Sequence, residues 1–328
     1  MKVLVTGGTG FTGLHLVRHL LKEGHEVTSL DLHDGKEAQA LREQGANMVT
    51  GSITNKDDVE KVVTGQDLVF HLASAFREIF ASEEFYREVD VEGTRNVLDA
   101  CLRHNIPRVV HTSTQGVHGH TDKVPQDESA PFGPLDLYCK AKLEAESVCK
   151  EYIEKGLPLV ILRPSSIYGP GVTFGFLKIF KMIRDGKFFM VGSGNTHNHP
   201  VYIDNLIQAL MLASHVKEAV GQTYIIGDER YVTLNELTAA MAKAQGIEPK
   251  FKRFPFYTPL YLVAWAVESV CRPLKIDPPI FRRRLAWFRT NRGWSIEKAK
   301  RELGYKPAID IEEGCRRSVE WYRAEGLL

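Results

Sequence analysis

Two periods follow one another at the start of the chain. Residues 2–6 form a short β-branched, apolar run, the pattern of a buried parallel strand. Residues 14–21 repeat apolar positions at helical spacing, and Gly7, Gly8, Gly10 and Gly13 lie between the two runs. The same alternation continues down the chain. Further strands are predicted over 26–31, 46–49, 67–71, 108–113 and 158–162, with helices from about residue 56, over 83–104 and over 138–155. The helical runs carry apolar faces: Val89, Val91, Val97, Leu98 and Cys101 on one, Ala141, Leu143, Ala145, Val148 and Tyr152 on the other. Strand and helix in alternation predict an α/β fold, a Rossmann-type doubly wound parallel sheet.

Past Arg163-Pro164 the alternation loosens. A helix over 201–214 and a strand over 222–227 read as the last pieces of the first domain. Helices over 233–245, 257–271, 295–302 and 311–323, punctuated by Pro255, Pro259, Pro273, Pro278 and Pro279, read as a smaller, mostly helical cap. The expected division is 1–165 plus about 200–227 for a dinucleotide-binding domain, and about 166–199 plus 228–328 for a substrate domain.

The glycines supply the first chemistry. Strand, glycine turn and helix together make a dinucleotide site credible. Glycine permits the tight turn, the close approach of a pyrophosphate to the backbone, and close helix–strand packing. The open N–H groups of the first helical turn then hold negative charge. Asp31 ends the second strand, 18 residues after Gly13. A carboxylate there can bind both adenosine ribose hydroxyls and repel a 2′-phosphate, which favours NAD over NADP. NADP is not excluded, because His33 and Lys36 could help a phosphate bind. The fourth strand runs into His71-Leu-Ala-Ser74, small residues that let backbone lie against a cofactor; His71 itself reads as a packed strand-end histidine.

Tyr138 and Lys142 stand at i and i+4, on one face of a helix. A phenol titrates near 10 and is a poor base at neutral pH. A neighbouring ammonium is expected to lower that value, so that the phenol exchanges a proton with an alcohol or ketone while hydride moves to or from nicotinamide. Thr114, just past the fifth strand, offers a hydroxyl to hold the substrate oxygen, with Ser113 as the second candidate.

Taken together, Thr6-Gly-Gly-Thr-Gly-Phe-Thr-Gly13, Asp31, His71-Leu-Ala-Ser74, Val91-Glu-Gly-Thr94, His111-Thr-Ser-Thr114, Tyr138-Cys-Lys-Ala-Lys142, Leu162-Arg-Pro164 and Ile167-Tyr-Gly-Pro170 resemble the extended short-chain dehydrogenase/reductase family over essentially the whole chain. The resemblance implies a catalytic set carried by Thr114, Tyr138 and Lys142, with Lys142 also on the nicotinamide ribose. It implies cofactor contacts from Gly7, Gly10, Phe11, Thr12 and Gly13 in the turn and from Asp31, Ser52 and Ile53 on the adenosine side. It further implies contacts from Leu72, Ala73 and Ser74 and, toward the nicotinamide, from Pro164, Ser166 and Ile167. Many members dimerise through the helix that carries the Tyr/Lys pair, so a homodimer is expected. The chain departs from the family at Ser52 and Asp90, where many members carry Asp and Asn.

Within the family, dehydratases place Asp-Glu directly after the catalytic threonine; here Gln115-Gly116 follows Thr114, which argues against dehydration. Nucleotide-sugar epimerases often carry Asn where Ser166 stands. The apolar run from Tyr257 to Val267 resembles the C-terminal region of the 3β-hydroxysteroid and sterol-4-carboxylate dehydrogenase branch, and favours a hydrophobic, steroid-like alcohol or ketone. Ordinary cap core is an equal reading of that run. Arg282, Arg283, Arg284, Arg289 and Arg292 behind it suit a solvated face, an anionic substrate group, or peripheral contact with a membrane surface. Two further readings are open: a nucleotide-sugar 4-epimerase that retains its NAD, and a non-catalytic dinucleotide sensor, against which the retained Tyr/Lys pair speaks.

Composition narrows the partners. The chain has 328 residues, 43% hydrophobic and 25% charged, with a net charge of +1, so no global field favours nucleic acid. Its five cysteines are scattered without a CxxC pair, which points to a reducing, cytoplasmic compartment. The first strand begins at Lys2, leaving no room for a signal peptide, and no apolar run reaches bilayer length. His118-Gly-His120 and His197-Asn-His199 lack further ligands at metal spacing and read as loop residues, so no metal is expected.

Overall fold

The structure is a computed structural model that describes residues 1–76, 81–271 and 285–328. Its centre is a seven-stranded sheet with every pairing parallel, in the order β11-β6-β5-β4-β1-β2-β3. The strands are β1 (Lys2–Thr6), β2 (Glu26–Asp31), β3 (Asn47–Thr50), β4 (Leu68–His71), β5 (Val109–Thr112), β6 (Leu159–Pro164) and β11 (Thr223–Ile226). The apolar runs are continuous because both faces are covered, and successive residues go to opposite layers. Val3, Val5, Phe70, Val110, Val160 and Leu162 join one core; Leu4, Val69, Val109, Leu159 and Ile161 join the other.

The first core is closed by α1 (Phe11–Lys22) and α8 (Ile203–His215) through Leu16, Leu20, Leu206 and Leu210. The second is closed by α3 (Lys56–Val63), α5 (Gly93–Arg103) and α6 (Leu137–Glu154) through Val59, Val97, Leu98, Val148 and Tyr152. Each such buried aliphatic side chain contributes about 1.5–3 kcal/mol. The predicted helix over 83–104 is present but not uniform. It begins as α4 (Glu83–Tyr86), widens into a π-helical stretch at Arg87–Glu92, and resumes as α5.

Beyond β6 the elements are shorter. β7 (Ser166–Tyr168) pairs with β10 (Pro200–Tyr202), β8 (Phe189–Val191) with β13 (Lys252–Phe254), and β9 (His197–Asn198) with β12 (Val232–Thr233). These strands are too short to show a period. Also absent from the sequence-based prediction were α2 (Lys36–Glu43) and α7 (Phe176–Arg184). α2 buries only Ala38 and Leu41, and α7 starts from Gly175 without a side-chain cap, so neither announces itself locally. α9 (Leu234–Ala244) opens with a capping box between Thr233 and Glu236. α10 is Tyr257–Cys271, α11 is Glu297–Leu303, and α12 is Ile311–Ala324. Phe180, Leu237, Met241, Val319 and Tyr322 of these helices extend the first core away from the sheet.

Candidate active site

The order of the sheet reverses between β1 and β4, and the carboxyl ends of those strands lie level: Thr6 is in register with Leu30 on one side and His71 on the other. A crevice outside the strand ends at such a reversal is where α/β sheets bind ligands. The glycine turn fills its floor. Gly7 has φ +77°, and a Cβ there would lie 2.9 Å from the Ala73 backbone. A Cβ on Gly13 would lie 2.1 Å from the Gly7 carbonyl oxygen, so the turn and α1 approach as closely as glycine allows. Gly10 differs, since a Cβ there would meet only the Gly7 carbonyl oxygen, at 3.2 Å. It caps α1 without a side-chain hydrogen bond, so the first-turn N–H groups of Phe11 and Thr12 meet no side-chain acceptor. Asp31, at the end of β2, accepts from the Thr9 N–H at 2.9 Å and so lies against the same turn. A bare backbone edge, an uncapped helix start and a carboxylate beside them fit a dinucleotide.

At the end of β4 the hydrogen bonds fix one histidine completely. Thr94 donates its hydroxyl proton to the Asp90 carbonyl (2.6 Å), so its oxygen must accept from His71 Nε2 (3.0 Å). The Thr6 hydroxyl accepts from the N–H groups of Leu72 and Ala73 and donates to His71 Nδ1 at 2.8 Å. His71 is therefore a neutral Nε2–H tautomer that ties β1, β4 and α5 together, and burial lowers its pKa to about 3. Leu72 and Ala73 are held by that same knot, while Ser74 donates to Asp90 at 2.6 Å.

Thr114 and Ser113 part ways. Ser113 is buried and donates to Glu146 Oε1 at 2.5 Å, which removes it from the crevice. Thr114 is half-buried; its oxygen accepts from the Gly116 N–H at 3.1 Å and its own O–H can still donate. Asp136 caps α6 by accepting from the Cys139 N–H, which starts the helix one residue before Tyr138. Tyr138 and Lys142 then face the strand ends. The Tyr138 ring meets Phe76 edge-on at 5.1 Å and Tyr86 at 6.5 Å. Lys142 is buried, with Nζ 3.4 Å from Nε2 of His111 on β5.

The electrostatics differ from the sequence-based expectation. The Tyr138 phenol is not lowered but raised well above its ordinary value, by desolvation first and then by the Asp90 carboxylate, against a side-chain hydrogen bond with Ser74. Burial lowers Lys142, and Asp90, Cys149 and Glu146 oppose that. Burial also raises Asp90, with Lys142, Ser74 and the Ala75 backbone pulling it back. His111 is held well below its usual range by burial, Lys142 and His71. The pair is thus embedded in a buried carboxylate–ammonium–imidazole cluster. The sequence did not reveal Asp90 as a member, because it enters from the π-helical stretch.

Glu146 was also missed, although a carboxylate on the inward stripe of α6 was a visible signal. It receives Arg163 in a two-pronged bond, Nε to Oε1 at 2.9 Å and Nη2 to Oε2 at 2.6 Å, with both side chains buried. The arginine of the Arg-Pro motif therefore anchors β6 to the helix bearing Tyr138 and Lys142.

The remaining expected contacts spread along the same edge. Ser52 follows β3, where its N–H donates to Asp58 and its hydroxyl pairs with Thr54. Ile53 is buried against Gly93. Pro164 ends β6, and Ser166 and Ile167 belong to β7. His118 is packed between Phe132 and Trp294 and lies 3.0 Å from Arg163 Nη1. His199 donates from Nε2 to the Asp228 carbonyl, and the His197 ring meets Tyr231 edge-on. Arg282, Arg283 and Arg284 lie outside the described residues. Among the described residues no helix is long and apolar enough to cross a membrane.

Known proteins resemble this chain in sequence and in fold. A family model described as the NAD dependent epimerase/dehydratase family matches residues 3–227. The chain is 32% identical to a 2-alkyl-3-oxoalkanoate reductase of Stenotrophomonas maltophilia, over 97% of this chain and 98% of that one. It is 30% identical to a decarboxylating sterol-4-alpha-carboxylate 3-dehydrogenase of Schizosaccharomyces pombe, over 99% and 98%. In fold it matches a Bacillus cereus UDP-glucuronic acid 4-epimerase, crystallised with UDP-glucuronic acid and NAD, with a TM-score of 0.79, 23% identity and coverage of 99% and 100%.

Proposed function

The chain belongs to the NAD-dependent epimerase/dehydratase family, and from that premise we propose that it is an NAD-dependent oxidoreductase interconverting a secondary alcohol and a ketone on a hydrophobic, steroid-like substrate. Bound NAD would supply a nicotinamide that accepts or returns hydride. Gly7, Gly10, Phe11, Thr12 and Gly13 would hold its pyrophosphate, and Asp31 the adenosine ribose. Thr114 orients the substrate oxygen by donating its O–H. Tyr138 exchanges the proton of that oxygen. Lys142 opposes the negative charge left on the phenol, and Asp90 and His111 hold Lys142.

One observation carries the hydrophobic reading. Phe76 packs on Tyr138, and Phe174 lies 5.7 Å from Phe76, and both phenylalanines remain partly exposed. The Tyr138 ring thus stands beside exposed apolar rings, while the carboxylate that acts on its phenol, Asp90, is fully buried, which suits a carbinol on an apolar skeleton. The two relatives named above, one acting on an oxoalkanoate and one on a sterol, have substrates of that kind.

The test is direct: incubate the protein with NAD and with NADP against 3β-hydroxysteroids, 2-alkyl-3-hydroxyalkanoates and UDP-sugars, and follow reduced nicotinamide. Accumulation of NADH with an apolar alcohol, abolished in Tyr138→Phe, supports the proposal. Interconversion of UDP-sugars by protein whose NAD survives gel filtration would establish the 4-epimerase instead. Undiminished cellular activity of Tyr138→Phe would point to a sensor.

A further inference from the structure

The apolar run read as cap core or substrate wall is mostly neither. α10 turns only a narrow stripe inward: Tyr257, Leu260 and Ala264 pack with Phe189, Val191, Leu285 and Phe288. Ala264 is its single buried residue among those described. Leu262, Val263, Trp265 and Val270 on the helix, and Phe256 just before it, are each more than half exposed. The helix is therefore amphipathic in reverse, with its larger apolar face toward the outside. Contiguous apolar surface of this kind is rare on a protein that meets only water.

Among the described residues the charges beside this face are mainly basic. β13 leads into α10 with exposed Lys252 and Arg253, and the Arg289 guanidinium lies 5.3 Å over the ring of Tyr257, the first residue of α10. Arg253 is held by the Ser193 carbonyl and the Asn235 side-chain oxygen, neither of which cancels its charge. Lys250 pairs with Glu248. Glu268 is on the half-buried side of α10. An apolar face with a cationic end and an outward tryptophan is complementary to the headgroup–acyl boundary of an anionic bilayer. The 15 described residues of α10 span about 22 Å, short of the roughly 30 Å of a hydrocarbon core, and among the described residues no helix is long and apolar enough to cross a membrane, which suits a helix lying on the surface.

We propose that the outward face of α10 docks this protein on anionic phospholipid membranes. Leu262, Val263, Trp265 and Val270 enter the acyl boundary, and Lys252, Arg253 and Arg289 meet the phosphates. The proposal does not depend on the reaction assigned above. A second copy of the chain is the competing occupant; the dimer expected from the family resemblance uses α6, a different element.

Flotation of the full-length protein with phosphatidylcholine vesicles, with and without phosphatidylglycerol, tests it. At low salt the floated fraction should be at least threefold higher with phosphatidylglycerol. Val263→Glu with Trp265→Glu should reduce it at least fivefold, and Lys252→Glu with Arg253→Glu should remove the preference for phosphatidylglycerol. The vesicle-induced blue shift of tryptophan emission should vanish in Trp265→Phe, a change small enough to leave the fold intact. Equal flotation of wild type and the double-glutamate variant would overturn the proposal. So would absent flotation with phosphatidylglycerol vesicles, and a dimer, by ultracentrifugation, that the same variant turns into monomers would then assign the face to a second copy of the chain.

Discussion

Ser74 gives its hydroxyl proton to the carboxylate of Asp90 across 2.6 Å, and the same hydroxyl lies in hydrogen-bonding contact with the Tyr138 phenol. Serine has one proton and two claimants for it. While Asp90 takes it, the phenolate of Tyr138 loses a donor and faces a second negative charge. Desolvation first, and then this arrangement, keeps the phenol protonated, which is why an ammonium one helical turn away does not by itself make Tyr138 acidic.

Asp90→Asn should therefore lower the Tyr138 pKa. Alcohol oxidation needs the deprotonated phenol, so its rate rises with pH through that pKa. The rising limb of kcat against pH should move to lower pH by about one unit, the scale of a single nearby charge. The side-chain oxygen of the new residue can still accept from Ser74. A full pH–rate profile for wild type and variant decides this; an unmoved limb would separate Asp90 from the phenol.

The buried pair of Glu146 and Arg163 should matter more for stability than any exposed ion pair in the chain. Removing one partner strands the other charge in the interior, at a cost of about 3–5 kcal/mol. Glu146→Gln and Arg163→Met should each lower the unfolding free energy from urea titration by that much. Arg95 with Glu151 is an exposed contrast, where Arg95→Ala should cost no more than about 1 kcal/mol.

Asp31 holds the glycine turn through Thr9 and would repel a 2′-phosphate. Asp31→Ala should weaken NAD and relieve NADP, reducing the preference between them by about tenfold or more. Titration of the two cofactors, followed by protein fluorescence, gives the ratio without any substrate.

What the sequence disclosed was chiefly what is encoded locally. The turn from Gly7 to Gly13, the strand ends at Asp31 and His71, and the Tyr138–Lys142 spacing each sit within one element or one connection, so a period or a spacing suffices to find them. Thr114 stands ahead of Ser113 on sequence grounds alone, but the bond that withdraws Ser113 from the crevice is made to Glu146, 33 residues away. Asp90 needed the π-helical stretch, which no simple periodicity announces. α10 shows a further limit: hydropathy located the helix, but an apolar run does not say whether its broad face turns inward.

Acidification should destabilise the fold through histidines that are buried neutral. His71 and His199 have pKa values lowered by burial to about 3 and about 4. An unfolded histidine takes up its proton near 6.5, so below that pH the unfolded chain binds more protons and stability falls as pH falls toward the folded values. Between pH 7 and 5 each histidine should cost about 2 kcal/mol. Asp228 works in the opposite sense. Burial raises its carboxyl to about 7, against hydrogen bonds from the Tyr202 N–H, Asn205 and Tyr168. Here the folded state binds the extra proton, so stability contributed by Asp228 is present in acid and is lost as pH rises through about 7. From pH 7 to 5 it should return about 2 kcal/mol. Asp228→Asn removes that return while keeping an oxygen for Tyr202 and Asn205. Unfolding free energies from urea titration at pH 5 and 7 should then diverge more in the variant than in wild type, by about 2 kcal/mol. An equal difference in the two proteins would mean that Asp228 is already ionised at pH 5.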